Sequence, residues 1–414
     1  MSKFDASQSD YDIIIAGGGM IGTSLALALA PLNLRVAIVE AVARSAAQQP
    51  SFDDRSTALS RSSQRMFAAM GLWPQIVAAA TPIKSIHVSE KGRFGFSHID
   101  AKEQKVEALG YVVINRVLGQ VLQDSLATVD KLDVICPGKI TAVSLTDQYA
   151  EVTVEEETGS RQLTGKLLVA ADGANSAVRE MIGISARRIE YQQWAVIGNL
   201  LPQKAPQNRA YERFTEEGPI AILPVADDRA AFVWILPPER ANELLQLSDD
   251  EFTAQIQEAF GYRLGTFSRV GKRAAYPLSL SKTNSLVSRR SVVVGNAAHG
   301  LHPVAAQGFN LGMRDVAALC DCIGDGRTQF GLDCGRASIL ESYTAWRKAD
   351  QEKLVWFTDG LVRLFRDRRP GVRTLRNIGM LGFDLVPGVR KAFAKHTMGL
   401  AGRLPRLSRG VPLE

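Results

Sequence analysis

The 414-residue chain has little cysteine and none in a C-x-x-C pair. Cys136, Cys320, Cys322 and Cys334 therefore promise no disulfide framework and no redox dithiol, and in a reducing compartment they stay thiols. Cys320, Cys322 and Cys334 make at most a partial metal set; buried or helix-surface thiols are the plainer alternative. Long apolar runs are missing as well. The longest nearly apolar stretch, Met20 to Leu32, has 13 residues, whereas a spanning helix needs about 20. Residues 1–10 are polar with no apolar centre, so no signal peptide is expected and the cytoplasm is the default location. The G-x-S-x-G, H-E-x-x-H and P-loop signatures are absent too, so nothing points to those hydrolase, zinc or nucleotide chemistries.

What is present describes a globular chain: 46% apolar and 22% charged residues, which sets aside disorder, collagen and coiled coil. The length exceeds the ~250–300 residues that one core supports, so two lobes are expected. Net charge is +6, but its distribution is uneven. Residues 361–414 hold twelve Lys/Arg against three acids, leaving the preceding chain at −3. A mildly acidic body does not bind nucleic acid; the tail alone asks for an acidic partner.

The N-terminal segment reads as a strand, a glycine turn, a helix and a second strand. Asp12–Ala16 and Leu34–Val39 are apolar runs suited to buried parallel strands. Between them lies Gly17-Gly18-Gly19-Met20-Ile21-Gly22, a G-x-G-x-x-G. Its glycines let the backbone turn tightly and approach a pyrophosphate at a helix N-terminus. Glu40 closes the second strand, where a carboxylate can accept bonds from ribose hydroxyls. Asn33 can take the left-handed conformation that ends the helix.

Two later buried strands also end in polar turns. Leu167–Ala171 runs into Asp172-Gly173-Ala174-Asn175-Ser176-Ala177-Val178-Arg179, and Ser291–Val294 into Gly295–Pro303 and Ala306–Gly312. In an open parallel sheet, ligands collect at the carboxyl ends of the strands. Three such turns therefore suggest one cofactor site assembled from distant segments. The middle, about residues 190–277, carries strand-like runs and one helix, Ser248–Phe260. Its aromatic and β-branched strands suit a sheet covering an apolar ligand.

The three turns in this order resemble the flavoprotein aromatic hydroxylases, and within them the ubiquinone-pathway hydroxylases that act on a polyprenylated methoxyphenol. The string from Gly295 to Asp315 carries the narrower likeness, as do Asp54-Arg55, Ala58-Leu59-Ser60 and Asn115-Arg116. Two departures stand out: Asn296 where aspartate is usual, and Ala306 where glycine is usual. The resemblance implies an α/β fold with a Rossmann-like FAD-binding domain discontinuous in sequence (1–75, 105–185 and 278–345). A mixed-sheet substrate domain (76–104 and 186–277) and a basic helical C-terminal region (346–414) complete it.

It also implies FAD as cofactor, NAD(P)H and O2 as co-substrates, and ring hydroxylation through a flavin C4a-hydroperoxide, with no metal and no protein nucleophile. Gly17, Gly19, Gly22 and Glu40 would hold the ADP half, and Arg116 would reach the pyrophosphate or ribityl region. Arg55 would lie near the flavin ring. Asp172, Gly173 and Arg179 would serve FAD and the passing nicotinamide. Asn296, Gln307, Gly308 and Asn310 would cradle the ribityl chain and flavin edge. No residue suggests itself for deprotonating the phenol.

Plainer readings stand beside these. Asp172-Gly173 also suits an ordinary turn before a helix capped by Ser176. His299 and His302 could pair on a metal, although no further ligand stands at suitable spacing; His302 before Pro303 reads better as shaping the loop. Phe309 is either core or substrate-facing, and Trp194, Phe232 and Trp234 are core or cavity lining. Apolar and basic residues interleave over 353–365 and 386–404, as in helices that lie on anionic membranes; the alternative is packing on the body. A polyprenyl phenol dissolved in the bilayer fits the membrane reading, with the protein at the inner face and other pathway enzymes as candidate partners. A soluble aromatic hydroxylase, an isoprenoid reductase and a non-catalytic subunit of the pathway are the competing functions.

Overall fold

Strands without a polar break build the first sheet. In the computed structural model, which describes residues 9–43, 55–93, 95–300, 307–330, 333–366 and 387–414, Tyr11–Ala16 lies between Gly159–Ala170 and Val36–Val39, parallel to both. Ser291–Val293 extends the parallel set beyond Gly159–Ala170, and Leu132–Ile135 extends it beyond Val36–Val39. Ile13, Ile14 and Ile15 are completely buried, each contributing about 1.5–3 kcal/mol by leaving water. Sandwiched strands of this kind read as continuous apolar runs because both faces are covered.

Helix Met20–Leu29 is buried from Gly22 to Leu29 between this sheet and the helices Asn115–Leu126 and Gln307–Phe330. Asn33 ends the segment with a φ of 53°, in the left-handed conformation expected.

The second sheet is mixed. Its order is His299–Gly300, Ala274–Thr283, Ala186–Pro202, Ala230–Leu236, Pro219–Pro224, Arg209–Phe214, Ser85–Glu90 and Phe96–Asp100, with Phe267–Val270 beside Ala186–Pro202. Strand Ala274–Thr283 runs across the boundary expected at 277, and His299–Gly300 ties the third turn directly onto this sheet. One face is sealed by helix Asp249–Phe260 and by Pro238–Gln246, a helix the sequence reading does not contain. Phe232 and Trp234 are core residues of that face, with Trp194 packed against them.

The other face meets a small sheet of Ser56–Ser60, Gly110–Ile114 and Thr81–Ile83, where Ala58, Ile83 and Val112 pack on Ala210, Leu223 and Ala231. The helical end follows as Gln307–Phe330, Ala337–Arg366 and Pro387–Thr397. No helix among the described residues is long and apolar enough to cross a membrane.

Part of the second basic stretch packs its apolar side on the body. Phe393, Ala394, Met398 and Leu400 pack on Ile99, Ala101 and Leu109, because burying that face on the body removes it from water at once. Several tail cations are likewise docked. Arg390 meets Glu103 at 3.3 Å, Arg406 meets Asp321 and Asp325, and the Arg403 guanidinium lies 3.9 Å from the Trp346 ring centroid. The apolar side chains expected to matter between 353 and 365 lie outside the described residues.

Candidate functional site

The three polar turns close into a ring held by packing and hydrogen bonds. Gly17, at φ +102°, lies so close to Ala171 and Asp172 that a Cβ would stand 2.6 Å from the Ala171 carbonyl oxygen. That joins the first turn to the second. Arg179 joins the second to the third, its Nη1 donating to the carbonyls of Ala174 (3.1 Å) and Ala297 (3.2 Å). Ile21 completes the ring against Gly295 and Gly312, where an added Cβ would meet its side chain at 3.2 and 2.8 Å.

Inside that ring the first turn fits a dinucleotide. Helix Met20–Leu29 starts at Gly19 with no side-chain cap, so its first-turn amides are offered outward. Gly22 is needed because a Cβ there would sit 1.9 Å from the Gly17 carbonyl oxygen. Glu40 accepts from Gly18 N–H at 2.6 Å and Val42 N–H at 2.8 Å; it anchors the turn and keeps lone pairs for a ribose. Gly17, Gly19, Met20 and Ile21 are half-buried, forming an open rim.

The second turn is built for capping. Ser176 accepts from Arg179 N–H, while Asp172 accepts from the Ser176 hydroxyl and, at 3.1 Å, from Val178 N–H. Arg179 is buried, with its guanidinium committed to two backbone carbonyls and near Glu180. Arg179 thereby clamps the second and third turns together. Gly173, at φ +90°, supplies the bend, and nothing crowds it.

At the third turn Asn296 is exposed. Gly308 faces open space, since a Cβ there would meet nothing within 4 Å. Asn310 is not a free cradle. Its carboxamide accepts from Ser60 N–H and Ser63 Oγ, each at 2.8 Å, and donates to the Ala58 carbonyl at 2.9 Å. It thus rivets the start of helix Gln307–Phe330 to the small sheet. Phe309 packs against the main core. The Gln307 side chain, Asp54, His302, Pro303 and Ala306 lie outside the described residues.

Arg55 precedes strand Ser56–Ser60 and Arg116 follows its neighbour Gly110–Ile114, so both stand at one end of the small sheet. Arg116 is exposed in the first turn of helix Asn115–Leu126. Arg55 places its guanidinium 5.0 Å from the ring centroid of Tyr276, on the second sheet. It therefore bridges the turn region and the inner sheet face.

Beneath the ring lies a buried ion cluster that the sequence reading missed. Asp315 accepts from His299 Nε2 (2.6 Å), Gly295 N–H (3.0 Å), Arg347 Nε (2.8 Å) and Gln351 Nε2 (3.2 Å). Burial pushes its carboxyl upward, but the His299 and Arg347 charges outweigh that and hold it well below the usual range. His299 is thereby a strut under Gly295. No group of three or more candidate metal ligands occurs among the described residues.

The fold and the ring of turns define a flavin-type dinucleotide-binding protein. Residues 10–358 match the family model described as FAD binding domain. Ubiquinone hydroxylase UbiL of Rhodospirillum rubrum is 34% identical over 97% of this chain and 93% of its own length. The 3-demethoxyubiquinol 3-hydroxylase of Escherichia coli is 32% identical over 94% of this chain and 98% of its own. Among solved structures, p-nitrophenol 4-monooxygenase PnpA from Pseudomonas putida DLL-E4 superposes with a TM-score of 0.78, covering 95% and 98% of the two chains at 17% identity. That likeness shows the shared fold. The chain belongs to the FAD-dependent hydroxylases of ubiquinone biosynthesis, and it is an FAD-dependent monooxygenase.

Proposed function

We propose that the protein hydroxylates a polyprenylated methoxyphenol, consuming NAD(P)H and O2. The observation that carries this reading is an apolar, half-open face on the second sheet, to which the third turn is tied through His299–Gly300 and the small sheet through Arg55 over Tyr276. Ala221, Val233 and Ile197 form that face and are neither sealed by helices nor fully exposed. An apolar wall beside a cofactor cradle suits a greasy ring and keeps bulk water from the reaction.

Bound FAD supplies the two-electron relay between a nicotinamide and oxygen. Gly17, Gly19 and Gly22 let the first-turn amides of Met20–Leu29 receive its pyrophosphate, and Glu40 receives a ribose. Arg116 serves the pyrophosphate or ribityl side, and Asp172 and Gly173 hold the second turn in place. Asn296 accepts from the ribityl chain through its amide oxygen, and Gly308 leaves room for the flavin edge. Arg55, above Tyr276, would lie near the flavin ring.

The basic residues between 361 and 386 carry the chain to the anionic inner face of a membrane, where a polyprenyl tail resides; each Lys or Arg near such a surface adds about 1 kcal/mol. Co-sedimentation with phosphatidylglycerol vesicles should fall when Arg363, Arg366, Arg368 and Arg369 become serine. Retention unchanged by those four substitutions would reject the membrane role.

A second reading, hydroxylation at another ring position of the same pathway, is favoured by the similarity to the Escherichia coli 3-demethoxyubiquinol enzyme. Deletion of the gene separates the two. Accumulated polyprenyl-methoxyphenol supports the first, an accumulated demethoxy-quinol supports the second, and an unchanged quinone profile rejects the pathway.

A further inference from the structure

Strand Arg209–Phe214 carries one carboxyl on the inner face of the second sheet. Side chains alternate along a strand, and two contacts fix which side is which. Tyr211 packs on Phe260 beneath the covering helices. Ala210 packs on Ala58 and Val112 of the small sheet. Glu212 therefore shares the inner side with Ala210. Beside it in register stand Val88 and Ala221, and beyond Ala221 come Val233 and Ile197. This row is the apolar wall already described.

Glu212 is half-buried there, and no hydrogen bond or ion pair reaches its carboxyl among the described residues. Glu90 shares this side, two residues along from Val88 and beside Phe214, and the other titratable groups are across the sheet or turned away. Tyr276, with Arg55 over its ring, is across the sheet. Tyr111 of the small sheet turns toward Trp73, and Arg209, Arg213 and Arg263 gather around His87 on the opposite face. Desolvation alone pushes the Glu212 carboxyl up to about 7. An unpartnered carboxyl on an apolar wall lacks the donor that burial normally demands; a phenolic hydroxyl is such a donor.

We propose that Glu212 accepts the proton of the substrate's phenolic hydroxyl, an inference resting on the phenol reading above. The phenol O–H bond breaks, the proton forms an O–H bond on the carboxylate, and the electron pair stays on oxygen as phenolate. No electron passes to or from the cofactor in this step. A phenol ionises near pH 10, as tyrosine does, so it needs an acceptor to become an electron-rich phenolate at neutral pH. Acceptors are most effective when they titrate near the working pH.

The test compares holoenzyme with Glu212→Gln and Glu212→Asp on 2-methoxy-6-prenylphenol and its ring-fluorinated analogues, whose hydroxyls ionise at lower pH. In E212Q, kcat for the parent phenol should fall by about 10²–10⁴-fold, with KM little changed and NAD(P)H-driven flavin bleaching retained. The acid limb of the kcat–pH profile should vanish, the loss should shrink as the analogues become more acidic, and E212D should recover part of it. Equal rates for E212Q and wild type, or an equal loss on every analogue, overturn the assignment to Glu212. A wild-type enzyme that oxidises NAD(P)H yet neither binds nor hydroxylates any of these phenols overturns the phenol reading instead.

Discussion

Arg347 Nε donates to Asp315 Oδ1 across 2.8 Å with both side chains withdrawn from solvent. The same carboxylate holds His299 and the Gly295 amide, so one buried charge supports the third cofactor turn from below. Removing one partner of a buried pair costs about 3–5 kcal/mol, since the other charge stays behind. Asp315→Asn should lower the denaturant midpoint by that order and loosen FAD. Because the native carboxyl titrates below its ordinary value, its contribution is complete above about pH 4 and fades as pH falls further. The gap between wild type and variant, followed by chemical denaturation against pH, should therefore close at the acid end.

Gly22 and Gly308 look alike in the sequence motifs and differ physically. At Gly22 a Cβ would sit 1.9 Å from a backbone carbonyl, whereas at Gly308 it would meet nothing within 4 Å. Gly22→Ala should destabilise the apoprotein, by about 1–3 kcal/mol for an overpacked site. Gly308→Ala should leave apoprotein melting unchanged and weaken FAD alone. Melting without flavin and fluorescence titration with it distinguish the two; a melting drop in G308A would deny the open cradle.

Asn310 reaches three partners on Ala58, Ser60 and Ser63. Leaving buried partners unsatisfied costs about 1–3 kcal/mol each. Asn310→Ala should lower the urea midpoint even with FAD absent, whereas a purely ligand-binding residue would change the midpoint only with FAD present.

The first βαβ unit was legible because every level agreed: apolar runs, glycine spacing, Asn33 at the helix end and Glu40 at the strand end all point to one structure. The middle was legible as strands but not as a sheet with two different faces. Alternation along Arg209–Phe214 says which residues share a side, while only contacts with Phe260 and Ala58 say which side is covered. Helix Pro238–Gln246 starts at a Pro-Pro pair with a short apolar stripe, too weak a period to stand out. The Asp315 cluster joins residues 295, 299, 315, 347 and 351, and local spacing carries no sign of such a junction. Arg179 and Asn310 were legible as motif residues, yet tertiary contacts turned both into clamps.

The raised carboxyl of Glu212 has a consequence for stability that is independent of turnover. Its ordinary value is about 4.3, and desolvation brings it to about 7 in the folded protein. Between those values the native state binds more protons than the unfolded chain, so stability declines as pH rises through the window. Below it both states are protonated, and above it the folded protein carries the full cost of a desolvated charge. Glutamine has the same shape without that charge. Glu212→Gln should match wild type near pH 4 and exceed it above pH 7, by about 1–3 kcal/mol after allowing for partial exposure. Urea unfolding at several pH values, without substrate, measures this directly; parallel curves would mean that the carboxyl ionises freely and that the inner face is wetter than its apolar residues imply.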